Sequence, residues 1–269
     1  MSNFWQRSLT GLIFVVVLIS AIYFGPWSSI LLFGLFTLIG LYEFTNIIGS
    51  SKKAPLVAGV AVLNGFSIYT GVILVSLNKI EPALLFGFAL LVALQLFAEM
   101  VNSKPDYNRF LTHIAGSTLV ALPFALLTTF GHVFEAFEPL LLIGLFILLW
   151  TSDTGAYLVG KSIGKHKLIA KISPGKTIEG FVGGLVLSGV VGYILSLSWD
   201  FLSQTDWIVL GIIMAVFGAL GDLSESMFKR SYGVKDSGTI LPGHGGVLDR
   251  FDGLIIAVPV ALFYLMLRY

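Results

Sequence analysis

Residues 139–160 read PLLLIGLFILLWTSDTGAYLVG, a long apolar run that ends in Thr-Ser-Asp-Thr and then turns apolar again. A helix rises about 1.5 Å per residue, so about 20 such residues cross the roughly 30 Å hydrocarbon core of a bilayer. The apolar residues do not alternate with polar ones as they do in a barrel strand. The stretch predicts a membrane-spanning helix that carries an aspartate, Asp153, toward one end.

The rest of the chain repeats the pattern. Of its 269 residues 56% are hydrophobic and only 12% charged, against about 25% charged in soluble domains, and the mean hydropathy is +0.92. Candidate spans cover 8–25, 27–48, 55–77, 82–101, 110–130, 139–160, 177–197, 206–229 and 249–267. The expected fold class is therefore all-α, a polytopic membrane bundle of about nine helices. The first apolar run follows Arg7 and shows no small-residue cleavage site, so it reads as a retained span. There is no cysteine, which excludes disulfides and thiolate metal sites. A net charge of +1 points to no particular partner. The chain divides into the first four spans, 1–105, and a catalytic membrane region, 106–269.

Basic residues in short loops stay on the cytoplasmic side, and this sets the orientation. Arg7, Lys52 and Lys53, and Lys104 and Arg109 mark one side; Glu135, Glu138, Asp200 and Asp206 mark the other. The loop holding Lys161, Lys165, Lys167, Lys171 and Lys176 sharpens the contrast. The N-terminus is expected inside and the C-terminus outside. The two long polar loops, 161–176 and 230–248, then face the cytoplasm.

An ionisable group inside a span costs about 2.5–3.5 kcal/mol on insertion scales, so each one needs a reason. Most acids here fall in two regions: one with Asp153 and Glu179, the other with Asp222, Glu225, Asp236, Asp249 and Asp252. Given the alternating direction of the spans, four of them carry acids to one level near the cytoplasmic surface. Helical spacing puts Asp222, Glu225, Ser226 and Lys229 on one stripe and Asp249 and Asp252 on one face. Such an oxygen-rich site suits Mg²⁺, which is usually held by one or two carboxylates together with substrate phosphates. The loop lysines, with Lys229, Arg230, Lys235 and Arg250, supply cations for phosphates. Acids for a metal and bases for phosphates point to phosphoryl or nucleotidyl transfer.

Simpler readings stand beside these. Glu225 and Asp236 each have a basic neighbour, and Glu43 and Glu99, at the ends of early spans, read as structural. Lys161 and Lys165 read as topology signals. Gly180, Gly184, Ser188 and Gly192 recur every four residues, the spacing of a close helix contact. Gly243, Gly245 and Gly246 surround His244, and a glycine cluster that exposes backbone N–H groups can bind anions.

At these residues the chain resembles the CDP-diacylglycerol synthases, also called phosphatidate cytidylyltransferases. Their signature has the form S-x-x-K-R-x4-K-D-x-[GSA]-x2-[LIF]-[PG]-x-H-G-G-x-x-D-R-x-D. Every fixed position is met by Ser226, Lys229, Arg230, Lys235, Asp236, Gly238, Leu241, Pro242, His244, Gly245, Gly246, Asp249, Arg250 and Asp252. Residues 152–184 also look like the family's cytoplasmic loop, usually D-T-G-A-Y through S-P-K-K-T-W-E-G. Gly175 stands where a lysine is usual and Ile178 where a tryptophan is usual, so the phosphate role falls to Lys176.

The resemblance implies that phosphatidate and CTP give CDP-diacylglycerol and pyrophosphate, with Mg²⁺ and room for a second cation. Asp222 and Asp249 are expected to hold the metal, with Ser226, Asp153 and Asp252 as further ligands. Lys176, Lys229, Arg230, Lys235 and Arg250 are expected to neutralise phosphates. Ser173 and Thr177 are expected to contact substrate, Gly245 and Gly246 to admit the triphosphate, and His244 to orient the loop or bond a phosphate. The partners are CTP, phosphatidate and the bilayer, with no nucleic acid, and the resemblance extends to a homodimer. The expected location is the cytoplasmic (inner) membrane, with the site facing the cytoplasm and Asp249 meeting Asp222 across two helices. A CTP-dependent lipid-alcohol kinase and a secondary transporter with a charged gate are the alternatives. Transporters bind near the midplane and often carry inverted repeats, and neither feature is visible here.

Overall fold

The computed structural model describes residues 3–81, 87–131, 133, 137–241, 243 and 245–269. The described chain is helical apart from one hairpin: α1 (Asn3–Tyr23), α2 (Pro26–Ile47), α3 (Ser50–Lys53), α4 (Pro55–Ser76), α5 (Gly87–Met100), α6 (Tyr107–Phe130), α7 (Pro139–Ile163), β1 (Lys167–Ile169), β2 (Ser173–Thr177), α8 (Ile178–Ser196), α9 (Gln204–Ser231), α10 (Leu248–Phe251) and α11 (Leu254–Arg268). Seven described segments are long and apolar enough to cross a membrane: α2, α4, α6, α7, α8, α9 and Leu248–Arg268. The other two expected spans correspond to shorter apolar helices, Ser8–Tyr23 within α1 and Gly87–Met100. Residues 82–86 of the expected fourth span lie outside the described residues.

The helix starts follow from local chemistry. Pro26, Pro55 and Pro139 open α2, α4 and α7, where a missing N–H costs nothing. Asp106, Glu138, Thr177 and Ser203 accept backbone N–H groups at the starts of α6, α7, α8 and α9, satisfying donors that the helix leaves unpaired.

The chain groups into two compact units, one of Met1–His132 with Asp236–Arg250, the other of Val133–Lys235 with Phe251–Tyr269. In the first, α2, α4 and α6 pack together around buried Phe33, Leu41, Tyr69 and Phe124. The Tyr69 hydroxyl donates to the Ile30 carbonyl at 2.5 Å and the Ser117 hydroxyl to that of Ala61 at 2.9 Å. Such bonds tie helices together where every backbone carbonyl already faces a helical N–H. Helix α6, expected in the C-terminal region, thus packs with the early spans. Glu99, read as structural, is paired with Arg109.

In the second unit α8 packs against α7 and α9, and its buried residues are Gly180, Gly184, Ser188 and Gly192, the four-residue stripe expected for close contact. Ser188 lies within hydrogen-bonding distance of the Leu148 carbonyl of α7 and the Gly211 carbonyl of α9, at 3.0 and 2.9 Å. The rest of α8 is apolar and largely exposed, with Val182, Val186, Val190 and Ile194 outward.

The 161–176 stretch, expected as a loop, is instead the end of α7 followed by the β1–β2 hairpin. The strands are antiparallel, with Lys167 opposite Thr177, Ile169 opposite Ser173 and an irregularity between. Glu179 pins the approach to β1 by accepting from the backbone N–H groups of Lys165 and His166 and meeting His166 Nδ1 at 2.5 Å. In the second expected loop, α9 runs on to Ser231, and Leu241 and Gly245 form an isolated bridge.

Candidate active site

A cavity of about 540 Å³ opens within the second unit. Its polar lining comes from Asp153 of α7, Asp222 of α9, Lys161, and Ser173, Lys176 and Thr177 of β2; its apolar lining includes Ala156, Leu168, Phe181, Ala215 and Ala219. The hairpin delivers Lys176 to the cavity, where its ammonium is ion-paired with Asp222. The Ser226 hydroxyl, one turn on along α9, donates to Asp222 Oδ1 at 3.3 Å. Asp153 lies within electrostatic reach of both Lys176 and Asp222. Asp252 lies within reach of Asp222, Glu225 and Asp153. Gly221 permits this approach, because a Cβ there would strike the Asp252 carbonyl oxygen. Three expected ligand carboxylates and the expected lysine are therefore neighbours in one unit.

Among the described residues no group of three or more histidine, aspartate or glutamate side chains is arranged to hold a metal. Mg²⁺ does not need one, since it commonly takes one or two carboxylates and completes its shell with phosphate and water. Asp222 with the Ser226 hydroxyl beside it, and one of its neighbours Asp153 or Asp252, are oxygen donors of that kind.

The other expected phosphate cations are differently placed. Lys229 is buried and paired at 2.8 Å with Glu225, one turn earlier on α9, which bears out the reading of Glu225 as a partnered acid. Arg230 donates to the Val234 carbonyl at 3.1 Å and so holds the chain just past α9. Lys235 is exposed. Thr177 spends its hydroxyl oxygen on Gly180 N–H at 3.1 Å as the cap of α8, so substrate contact is not its only task. Lys161 reaches the cavity lining and sits 5.6 Å from the centre of the Tyr157 ring, an attraction between cation and ring face. An open apolar groove of about 610 Å³ runs along α7 and α8, lined by Gly155, Leu158, Val159, Val182 and Val186 among others.

The signature loop folds within the first unit. Asp249 Oδ2 accepts from Ser237 N–H and Gly246 N–H, both at 2.8 Å, so this carboxylate organises its own loop. Gly245 has φ of +82°, a conformation that glycine adopts freely, and a Cβ there would strike the Asp249 carboxylate. A Cβ on Gly246 would strike Ser237 and Glu43. Both glycines thus keep the loop close to its acids. Arg250 is exposed. His244 and Pro242 lie outside the described residues. Asp249 belongs to the first unit and Asp222 to the second.

Glu43, read from the sequence as structural, holds the signature loop. It is buried in α2 and accepts from Val247 N–H and Leu248 N–H, each at 3.0 Å, with the Ser237 hydroxyl also 3.0 Å away. The signal available was a lone acid inside an apolar run, a costly placement.

A polytopic helical membrane protein whose cavity joins carboxylates and a lysine to an apolar wall is suited to chemistry on a charged headgroup at a bilayer. Residues 5–268 match the Cytidylyltransferase family, and the chain belongs to that family. It is 56% identical over 117 residues to a phosphatidate cytidylyltransferase of Staphylococcus aureus (strain COL). It is 54% identical over 117 residues to one of Staphylococcus haemolyticus (strain JCSC1435). Each alignment takes in 43% of this chain and 45% of the relative, so the match spans less than half of either protein.

Proposed function

We propose that this protein is a phosphatidate cytidylyltransferase, converting CTP and phosphatidate to CDP-diacylglycerol and pyrophosphate. The observation that carries the reading is the cavity where Asp153, Asp222 and Lys176 meet beside an apolar wall. Membership in the cytidylyltransferase family and the names of the relatives agree with it.

A phosphate oxygen of phosphatidate bonds to the α-phosphorus of CTP, the bond from that phosphorus to the bridging oxygen breaks, and pyrophosphate leaves. The nucleophile is already anionic, so no general base is required; alignment and charge neutralisation are. Lys176 exchanges its carboxylate partner for a phosphate, and the resemblance assigns Arg230, Lys235, Arg250 and Lys229 to the phosphates as well. Asp222, with Asp153, Asp252 and Ser226, would hold Mg²⁺, and Asp249 keeps the same assignment from the signature. The ion would screen the triphosphate and stabilise the departing pyrophosphate. The lipid reaches the site from the side, its acyl chains along the apolar α7–α8 groove, since they cannot leave the bilayer.

The test is purified protein with phosphatidate, labelled CTP and Mg²⁺. Cytidine label in the lipid together with released pyrophosphate is expected, and both should fall by about 100-fold or more in Asp222→Asn. Label that stays aqueous with the wild type overturns the reading, and release of CDP would favour a lipid kinase instead.

The reading includes a homodimer in the cytoplasmic membrane with its cavity facing the cytoplasm. The chain has no cysteine, so single introduced cysteines report sidedness cleanly. In intact cells, Lys171→Cys should resist an impermeant maleimide and Asp200→Cys should react. The reverse pattern would overturn the orientation, and a monomeric mass in detergent-corrected light scattering would overturn the dimer.

A further inference from the structure

We propose that Glu43, on the second helix and outside the signature, is the positioning residue for the catalytic loop and for Asp249. This rests on the reading of the protein as a phosphatidate cytidylyltransferase. The loop arrives at α2 through three donors: Val247 N–H, Leu248 N–H and the Ser237 hydroxyl, each 3.0 Å from a Glu43 oxygen. The same Ser237 hydroxyl is 3.0 Å from Asp249 Oδ2. Asp249 Oδ2 in turn receives Ser237 N–H and Gly246 N–H. Two carboxylates more than 200 residues apart in sequence, separated from Ser237 by 194 and 12 residues, thus converge on one serine.

A hydroxyl has one hydrogen, so Ser237 cannot donate fully to both acids at once. The shared hydrogen couples them: a shift of the Glu43 carboxylate is passed through Ser237 to Asp249. The packing allows little slack. A Cβ on Gly238 would lie 2.6 Å from Glu43 Oε1, and one on Gly246 would overlap both Ser237 and Glu43. Leu248 anchors the arrangement by packing against Gly40, one turn before Glu43 on α2, where a Cβ would lie 3.0 Å from its methyl group. A carboxylate accepting two backbone N–H groups ahead of a helix normally comes from a residue next to it in sequence. Here it comes from a distant span, so α2 fixes where the signature residues 245–249 sit.

The experiment compares wild type with Glu43→Gln, Glu43→Asp, Ser237→Ala and the Glu43→Gln/Ser237→Ala double variant, all purified from membranes. Amide exchange of the 245–250 peptide, melting temperature, and separate kcat and KM values are measured. Glu43→Gln should speed exchange of that peptide and lower kcat about 10- to 100-fold, the usual loss when a group orienting a functional side chain is removed. The KM for phosphatidate should stay near wild type, and the loss of kcat per folded molecule should persist after any fall in melting temperature is allowed for. Ser237→Ala should do the same, and the double variant should lose little more, because the two act through one network. Glu43→Asp, which keeps a carboxylate, should recover part of kcat.

Unchanged exchange, faster exchange with unchanged kcat, or fully additive losses would each overturn the proposal. If Glu43→Gln fails to fold, Ser237→Ala and Glu43→Asp decide between the same outcomes. Failure of the functional reading is a separate result: wild-type protein would then make no cytidine-labelled lipid, whatever the loop exchange shows.

Discussion

Lys176 and Asp222 form an ion pair in the cavity of the second unit, and each is the group that the proposed reaction needs bare. A phosphate arriving at Lys176 takes over its positive charge, and the freed carboxylate becomes available to a cation. The pair thereby couples the two binding events. Asp222→Asn is expected to lower kcat by about 100- to 1,000-fold, the range seen when one group stabilising developing charge is removed. Lys176→Met should fall comparably and raise the KM for CTP. Steady-state assays with varied CTP check both, and a Lys176→Met protein of wild-type KM and kcat would remove the lysine from the site.

Glu225 and Lys229 present a different case, since both side chains are less than 10% exposed. Separating two charges from water is costly, and removing only one leaves the other uncompensated, at about 3–5 kcal/mol. Lys229→Met is therefore expected to melt well below wild type, with Glu225→Gln/Lys229→Met regaining most of the loss. Thermal unfolding in detergent measures both. A single variant as stable as wild type would show that the pair does little for the fold.

The apolar runs announced the spans because membrane insertion imposes a length rule on each segment separately, and 139–160, 177–197 and 206–229 needed no knowledge of their neighbours. The Gly180, Gly184, Ser188 and Gly192 stripe was legible for the same reason, being a periodicity within one helix. Asp153, Asp222 and Lys176 were legible as candidates because charge in or beside a span stands out. The hairpin was not: β2 contains Pro174 and Gly175, poor strand formers, and it is held by contacts such as that of Glu179 with His166. Glu43 was legible as a structural acid, but its partners were not. Its partners lie 204 and 205 residues away, and no local pattern reveals so distant a bond.

At the start of α9, Asp206 is fully buried and collects the Ser203 hydroxyl at 2.6 Å, the Tyr264 hydroxyl at 2.5 Å, Arg268 Nε at 3.0 Å and the Tyr269 hydroxyl at 2.8 Å. One carboxylate thus fastens α11 to α9 within the second unit. Each hydrogen bond to a charged group contributes about 1.5–3 kcal/mol, and Asp206→Ala would leave several donors without their acceptor. A loss of about 3 kcal/mol or more is expected. The cavity lies on the far part of α9, so the folded fraction should keep wild-type KM values. Melting curves and assays of the surviving protein check the two halves, and an altered KM at full stability would contradict the assignment of Asp206 to the fold.

The small residues of α8 make the last prediction, because the helix carries its own control. A Cβ on Gly184 would lie 2.5 Å from the Ser152 carbonyl oxygen of α7 and 3.2 Å from the Ala156 methyl group, whereas one on Gly189 would meet nothing within 4 Å. Ser152 and Ala156 flank Asp153, so pushing α8 away from α7 displaces the wall that holds this acid. Gly184→Ala is expected to cost about 1–3 kcal/mol, as overpacking does. Gly189→Ala should stabilise by up to about 1 kcal/mol through helix propensity. The same Gly184→Ala protein should lose turnover beyond its loss of stability, since the displaced segment lines the cavity. Melting temperatures of the two variants, read with kcat per folded molecule, test the pair. Equal melting temperatures would mean that α7 and α8 are not packed as closely as the backbone contacts require.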